Sequence, residues 1–136
     1  MKLFSYNCRG LASPDKKLAF CRLLSIEQVD VIFLQETLGL TEPITHLLES
    51  ILPIWNFNSL DVNGRSEGIV MGYNTRTIKM NNIWGGSGFI GVDLYTSDLG
   101  NELTIINVYV SCQNQAFFSE HLLRSNLLQA DNLILG

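Results

Sequence analysis

Apolar and polar residues follow two different rhythms along this chain. The first third mixes short apolar runs with helical spacing. Residues 2–8 predict a short strand, and Gly10 opens a loop. Ser13-Pro14 looks like an N-cap followed by proline at the first helical position, and Asp15 in the first turn suits the helix dipole. The helix is predicted to reach about Glu27, with Leu18, Cys21 and Leu24 on its inner face. Residues 30–36 form a second strand, rich in valine, isoleucine, phenylalanine and leucine and apolar on both faces, as a strand inside a covered sheet should be. Thr41 caps another helix, with Glu42 and Pro43 in its first turn. Its Ile44, Leu47, Leu48 and Ile51 make an amphipathic stripe at i, i+3, i+4 and i+7.

From residue 54 onward the rhythm is that of strands. Residues 54–57, 68–74, 77–84, 89–95 and 103–109 are the candidates, with Asn63-Gly64, Gly85-Gly86 and Gly100-Asn101 between them as turns. Residues 115–129 read as a last helix with a loose apolar face, and 132–135 begin another strand. There is no repeat, linker or low-complexity segment. Two strand–helix units, an antiparallel meander, then helix and strand predict an α/β chain with a mixed sheet and helices on one face.

Composition narrows the class. A chain of 136 residues suffices for one domain, and 46% hydrophobic content with a mean hydropathy of +0.17 fits a globular core rather than a disordered tail. No apolar run approaches the ~18 residues that cross a bilayer. Asn7, Arg9 and Asp15 break any signal-peptide core, so the expected location is intracellular, in nucleus or cytoplasm, with no membrane partner. Cys8, Cys21 and Cys112 are an odd set without Cys-x-x-Cys spacing, and His46 and His121 stand far apart; neither a disulfide framework nor a zinc pattern results. The net charge of −4 argues against a broad basic face for nucleic acid, since Arg9, Lys16, Lys17 and Arg22 are the nearest approach to a cluster. It leaves room for an enzyme that meets phosphate through a divalent cation.

Three strand-end residues carry candidate chemistry. Asn7, beside a glycine turn, could hold a phosphate oxygen or orient a ligand; it could equally be a turn asparagine bonding local backbone. Glu36 ends an apolar strand, where a carboxylate must be solvated, paired or metal-bound. It suits magnesium, which takes one or two protein carboxylates and keeps several waters, or it could pair with Arg9 or a lysine. Tyr109 could donate its hydroxyl to a phosphate oxygen or pack against the sheet.

In order, Asn7-Cys8-Arg9-Gly10-Leu11, Ile32-Phe33-Leu34-Gln35-Glu36-Thr37, Asn63-Gly64-Arg65-Ser66, Gly68-Ile69-Val70-Met71-Gly72-Tyr73-Asn74, Ile106-Asn107-Val108-Tyr109 and Leu133-Ile134-Leu135-Gly136 resemble the endonuclease/exonuclease/phosphatase superfamily. More narrowly, they resemble the endonuclease domain of plant LINE-type (non-LTR) retrotransposons. The resemblance implies a DNase I-like sandwich of two β-sheets with helices outside. It implies Asn7 in the phosphate or nucleophile network, Glu36 on Mg²⁺, Tyr109 on the scissile phosphate, and DNA as partner. The chain departs from the pattern at Glu67, where relatives commonly carry glycine, and at Ser111-Cys112, where Pro-Asn or Gly-Pro is common.

On this resemblance residues 1–136 are a partial domain, the first half of the sandwich, ending before the Gly-Asp-x-Asn motif whose aspartate is the family's proposed base. The expectation is then a retroelement fragment, inactive as given, with weak or no Mg²⁺ binding at Glu36 and with part of its inner sheet face uncovered. The alternatives are an active endonuclease completed downstream or by a partner, and a phosphatase acting on a small or lipid phosphate. Oligomeric state is left open.

Overall fold

The computed structural model describes residues 1–11, 13–37, 41–62, 67–86, 88–109, 115–124 and 132–136. In chain order they form β1 (Leu3–Asn7), α1 (Pro14–Glu27), β2 (Val31–Gln35), α2 (Thr41–Ile51), β3 (Trp55–Val62), β4 (Glu67–Asn74), β5 (Ile78–Gly86), β6 (Phe89–Thr96), β7 (Asn101–Val108), α3 (Gln115–Arg124) and β8 (Leu133–Leu135). The strands divide into two four-stranded sheets, ordered β1-β2-β4-β3 and β5-β6-β7-β8. The single mixed sheet expected from element order is therefore two. Each of β4 and β6 is apolar on an inward face, through Ile69, Met71 and Tyr73 and through Ile90, Val92 and Leu94, and the two faces bury one another.

Both sheets are mixed. β1 runs parallel to β2 across the α1 crossover, and β8 runs parallel to β7 across the α3 crossover. The remaining pairings are antiparallel. β2 serves two cores, as its double apolar character predicts. Val31 and Phe33 face the second sheet, while Ile32 and Leu34 face the outer core with Phe20, Leu24, Leu48 and Trp55. The expected uncovered inner face is not found among the described strands: Val31, Phe33, Met71 and Ile105 are all 0% exposed.

Local departures have physical reasons. α1 begins at Pro14 and ends at a left-handed Gln28, but the Ser13 hydroxyl makes no capping hydrogen bond. Its buried face carries Phe20 and Leu24, whereas Leu18 is 52% exposed. Phe20 sets that orientation, its ring lying 6.3 Å from those of both Phe4 and Tyr6. Thr41 is the first helical residue of α2 rather than a cap outside it. β3 runs well past Phe57 because Asn58, Ser59 and Asp61 lie on an edge strand paired only to β4. The Gly85-Gly86 turn is instead the end of β5, with Gly86 paired to Phe89. The Asn63-Gly64 turn and the end of the last predicted helix, 125–129, lie outside the described residues. On the outer face of the second sheet, Trp84, Phe89 and Phe118 of α3 form an edge-to-face series at 5.7 and 6.3 Å. Helices α1 and α2 thus cover the outer face of the first sheet, and α3 packs on the outer face of the second. Among the described residues no helix is long and apolar enough to cross a membrane.

Candidate functional site

Parallel pairing of β1 with β2 sets Asn7 opposite Gln35, so the two strands end on one rim. Beyond the strand ends the backbones continue to hold each other. The Cys8, Gly10 and Leu11 amides donate to the carbonyls of Gln35, Glu36 and Thr37 at 2.8, 2.8 and 3.3 Å. Arg9 and Glu36 are both left-handed, at φ 43° and 51°, as is Gly10 at 86°. For a non-glycine residue that costs on the order of 1 kcal/mol, a strain that clusters at functional sites. It breaks the strict side-to-side alternation of the strand just where the carboxylate stands.

The result is a direct bond between the two strand ends. Asn7 Nδ2 donates to Glu36 Oε1 at 2.8 Å, while Asn7 Oδ1 accepts the Arg9 amide at 3.2 Å. Both ends of the Asn7 amide are engaged, which fixes its plane. Glu36 is half-buried and pairs with no cation among the described residues, so the Arg9 or lysine partner is not its explanation. Lys16 turns elsewhere, toward the carbonyls of Cys8, Arg9 and Gly10 at 3.5, 3.0 and 3.2 Å. The basic cluster read from the sequence thus spends one of its charges on backbone.

Beneath the rim lies a polar tie between the sheets. Asn107, fully buried on β7, donates from Nδ2 to the Val70 and Leu34 carbonyls at 3.1 and 3.4 Å. Its Oδ1 accepts Gln35 Nε2 at 2.7 Å, and that nitrogen also lies 3.2 Å from Ser5 Oγ. Asn107 therefore joins β2 and β4 of one sheet to β7 of the other, and Gln35 extends the tie to Ser5 of β1. Tyr109 stands two residues beyond it, half-buried, its amide donating to the Gly88 carbonyl at 2.8 Å. Gln35 and Asn107 are not among the candidate site residues of the sequence, and Lys16 stands there only as part of a basic cluster. A lone asparagine inside Ile105-Ile106-Asn107-Val108 is the signal that could have found the tie, since a polar group there must be satisfied.

Glu36 is suited to a hard divalent cation: a carboxylate at an open rim, oriented by one donor on Oε1 and, among the described residues, paired with no ammonium or guanidinium. Among the described residues no three histidine, cysteine, aspartate or glutamate side chains cluster, so a cation here would keep most of its waters. Cys8, 2% exposed, is no ligand or nucleophile. Burial pushes its thiol up to about 12, the Glu36 charge adds to this, and Lys16 and the Gln35 backbone only partly oppose it. His46 is exposed on α2 between Glu42 and Glu49, and the His121 side chain and Ser111-Cys112 lie outside the described residues. The side chain of Glu67 is likewise not described, though its backbone belongs to β4. A cavity of about 330 Å³ opens elsewhere, on the second sheet's outer face between Asn82, Asp93, Glu102 and Thr104. There the amides and the hydroxyl already bond the carboxylates.

Two mixed sheets packed face to face with helices outside make the DNase I-like fold, as in the endonuclease/exonuclease/phosphatase proteins of similar structure. The chain is similar to a humanized D. rerio TDP2, with 17% identity, a TM-score of 0.74, and coverage of 96% of this chain and 61% of that one. It is similar also to D. rerio TDP2 complexed with a single-strand DNA product, at 20% identity and TM-score 0.69, covering 96% of this chain and 56% of that one. A mannosyl-6-phosphatase of Bacteroides thetaiotaomicron aligns at 14% identity and TM-score 0.69, over 98% of this chain and 62% of its own. The chain thus spans 56 to 62% of the length of these structures. No family model and no curated protein sequence matches it.

Proposed function

We propose that the rim of Asn7, Glu36 and Tyr109 is the metal- and phosphate-facing part of a phosphodiester-hydrolysing site of the endonuclease type, with DNA as substrate. The observation that carries this is the Asn7–Glu36 hydrogen bond across two parallel strand ends. It leaves an oriented carboxylate that no cation neutralises among the described residues. Glu36 would hold Mg²⁺ through its carboxylate. Asn7 keeps that carboxylate in one orientation, and Tyr109 would contact the scissile phosphate from the second sheet. Bound there, the ion would offset charge developing on the phosphate. The D. rerio TDP2 structure with a single-strand DNA product supports a nucleic-acid substrate. The motif set along the chain supports a retroelement endonuclease of the plant LINE type, working in nucleus or cytoplasm. The mannosyl-6-phosphatase neighbour supports the second possibility, a small phosphate monoester.

These 136 residues are proposed to turn over poorly by themselves. The roles assigned here include a metal-holding group and two phosphate-facing groups but no general base, whose contribution is typically about 10²–10⁴-fold. The test is Mg²⁺-dependent nicking of supercoiled, abasic-site and single-stranded DNA, with release of phosphate from a sugar phosphate assayed in parallel. No turnover is expected. Nicking that needs Mg²⁺ and disappears in Glu36→Ala would establish an active endonuclease instead, and phosphate release lost in the same variant would establish the phosphatase.

A further inference from the structure

Three consecutive peptide groups in the loop after β1 are gripped from both sides. The carbonyls of Cys8, Arg9 and Gly10 converge on one ammonium, Lys16 Nζ, at 3.5, 3.0 and 3.2 Å. The amides of those same three peptide groups belong to Arg9, Gly10 and Leu11. They donate, in that order, to Asn7 Oδ1, the Glu36 carbonyl and the Thr37 carbonyl. An ammonium carries three donors and no acceptor, so three carbonyls match its capacity. Lys16 forms no ion pair among the described residues, so its charge is committed to this cradle.

We propose that Lys16 is a positioning residue for the rim, acting through these three peptide groups on Asn7 and Glu36. The inference rests on the assignment of Glu36 as the metal-holding group. A cation polarises the peptide groups whose carbonyls it contacts, and their N–H groups on the far side become stronger donors. Two of those donors meet the backbone at Glu36 and Thr37, and the third meets the Asn7 side chain. The third decides how Asn7 stands: with Oδ1 held by the Arg9 amide, Nδ2 is turned to Glu36. The carbonyls reach one point only while Arg9 and Gly10 stay left-handed, at φ 43° and 86°. Glycine tolerates this and arginine does not without compensation. Removing the ammonium frees Arg9 to relax to ordinary φ, which withdraws its amide from Asn7 and leaves the Glu36 carboxylate unoriented. Lys16 comes from the first turn of α1, so the helix fixes its origin independently of the loop.

The test compares Lys16→Met, which keeps the aliphatic stem, with Lys16→Arg, which keeps the charge, in the purified chain. Mn²⁺ serves as the metal probe, its affinity read by electron paramagnetic resonance, and amide hydrogen exchange is followed in parallel. Lys16→Met is expected to weaken Mn²⁺ binding by about tenfold, the lower end of what loss of an outer-shell partner costs. It should also speed exchange at Arg9, Gly10 and Leu11 while leaving β6 and β7 unchanged, and Lys16→Arg should restore most of both. Faster loop exchange with unchanged Mn²⁺ affinity would make Lys16 an anchor of the loop only, and unchanged exchange would remove the clamp altogether. Glu36→Gln separates the two ideas. If it abolishes Mn²⁺ binding while Lys16→Met does not alter it, the Lys16 proposal alone fails; if Glu36→Gln leaves Mn²⁺ binding intact, the assignment of Glu36 fails.

Discussion

At the scale of single residues, strand ends were legible and strand interiors were not. Asn7, Glu36 and Tyr109 stand out because each polar or hydroxyl-bearing group terminates an apolar run. That pattern needs no knowledge of the sheet. Asn107, whose side chain ties the two sheets, lies within a run and bonds residues more than thirty positions away. Its partners cannot be read from spacing. It is the residue whose loss should cost most. Asn107→Leu keeps the branched skeleton but leaves Gln35 Nε2 and two buried carbonyls short of a partner, and each unsatisfied buried group costs about 1–3 kcal/mol. A loss of about 3 kcal/mol is expected from urea unfolding, read as a lower midpoint with unchanged slope. A loss under about 0.5 kcal/mol would show that the tie between the sheets is dispensable.

At the scale of elements, the sequence is most informative where one pattern admits one environment. β2 is apolar at every position but the last, and it faces a core on each side. α1 is harder, because Leu18, Phe20, Cys21, Leu23 and Leu24 are spread around the helix and periodicity alone cannot choose the buried face. The choice is made by ring contacts with Phe4 and Tyr6 of a strand ten and more residues away. β3 was shortened in the sequence reading because an edge strand carries polar residues that resemble a loop. Close packing between elements gives a sharper test in the second sheet. Gly91 lies directly under Trp84, and a Cβ there would run into the indole, itself held edge-on by Phe89. Gly91→Ala should therefore destabilise by about 1–3 kcal/mol, as overpacking does. In a Trp84→Leu background the same change should cost clearly less, and a double-mutant cycle with no coupling would contradict the contact.

For the whole molecule, the order of elements said that strands and helices alternate, but not that the strands would separate into two sheets. That division depends on pairings such as Val31 with Tyr73 and Thr104 with Leu133, set by distant backbone rather than local pattern. The motif resemblance supplied the two-sheet expectation that periodicity could not. Once the sheets pack, the parallel pair β1–β2 and the buried Asn107 tie hold the ends of β1 and β2 against β7.

The central claim is that this rim, and not the acidic cavity on the second sheet, is where a divalent cation binds. Paramagnetic broadening of backbone amides by substoichiometric Mn²⁺ tests it most directly. Signals of Asn7, Arg9, Gly10, Glu36 and Thr37 should broaden first, and the effect should vanish in Glu36→Gln. Broadening centred on Asp93, Glu102 and Thr104, unchanged in Glu36→Gln, would contradict the account.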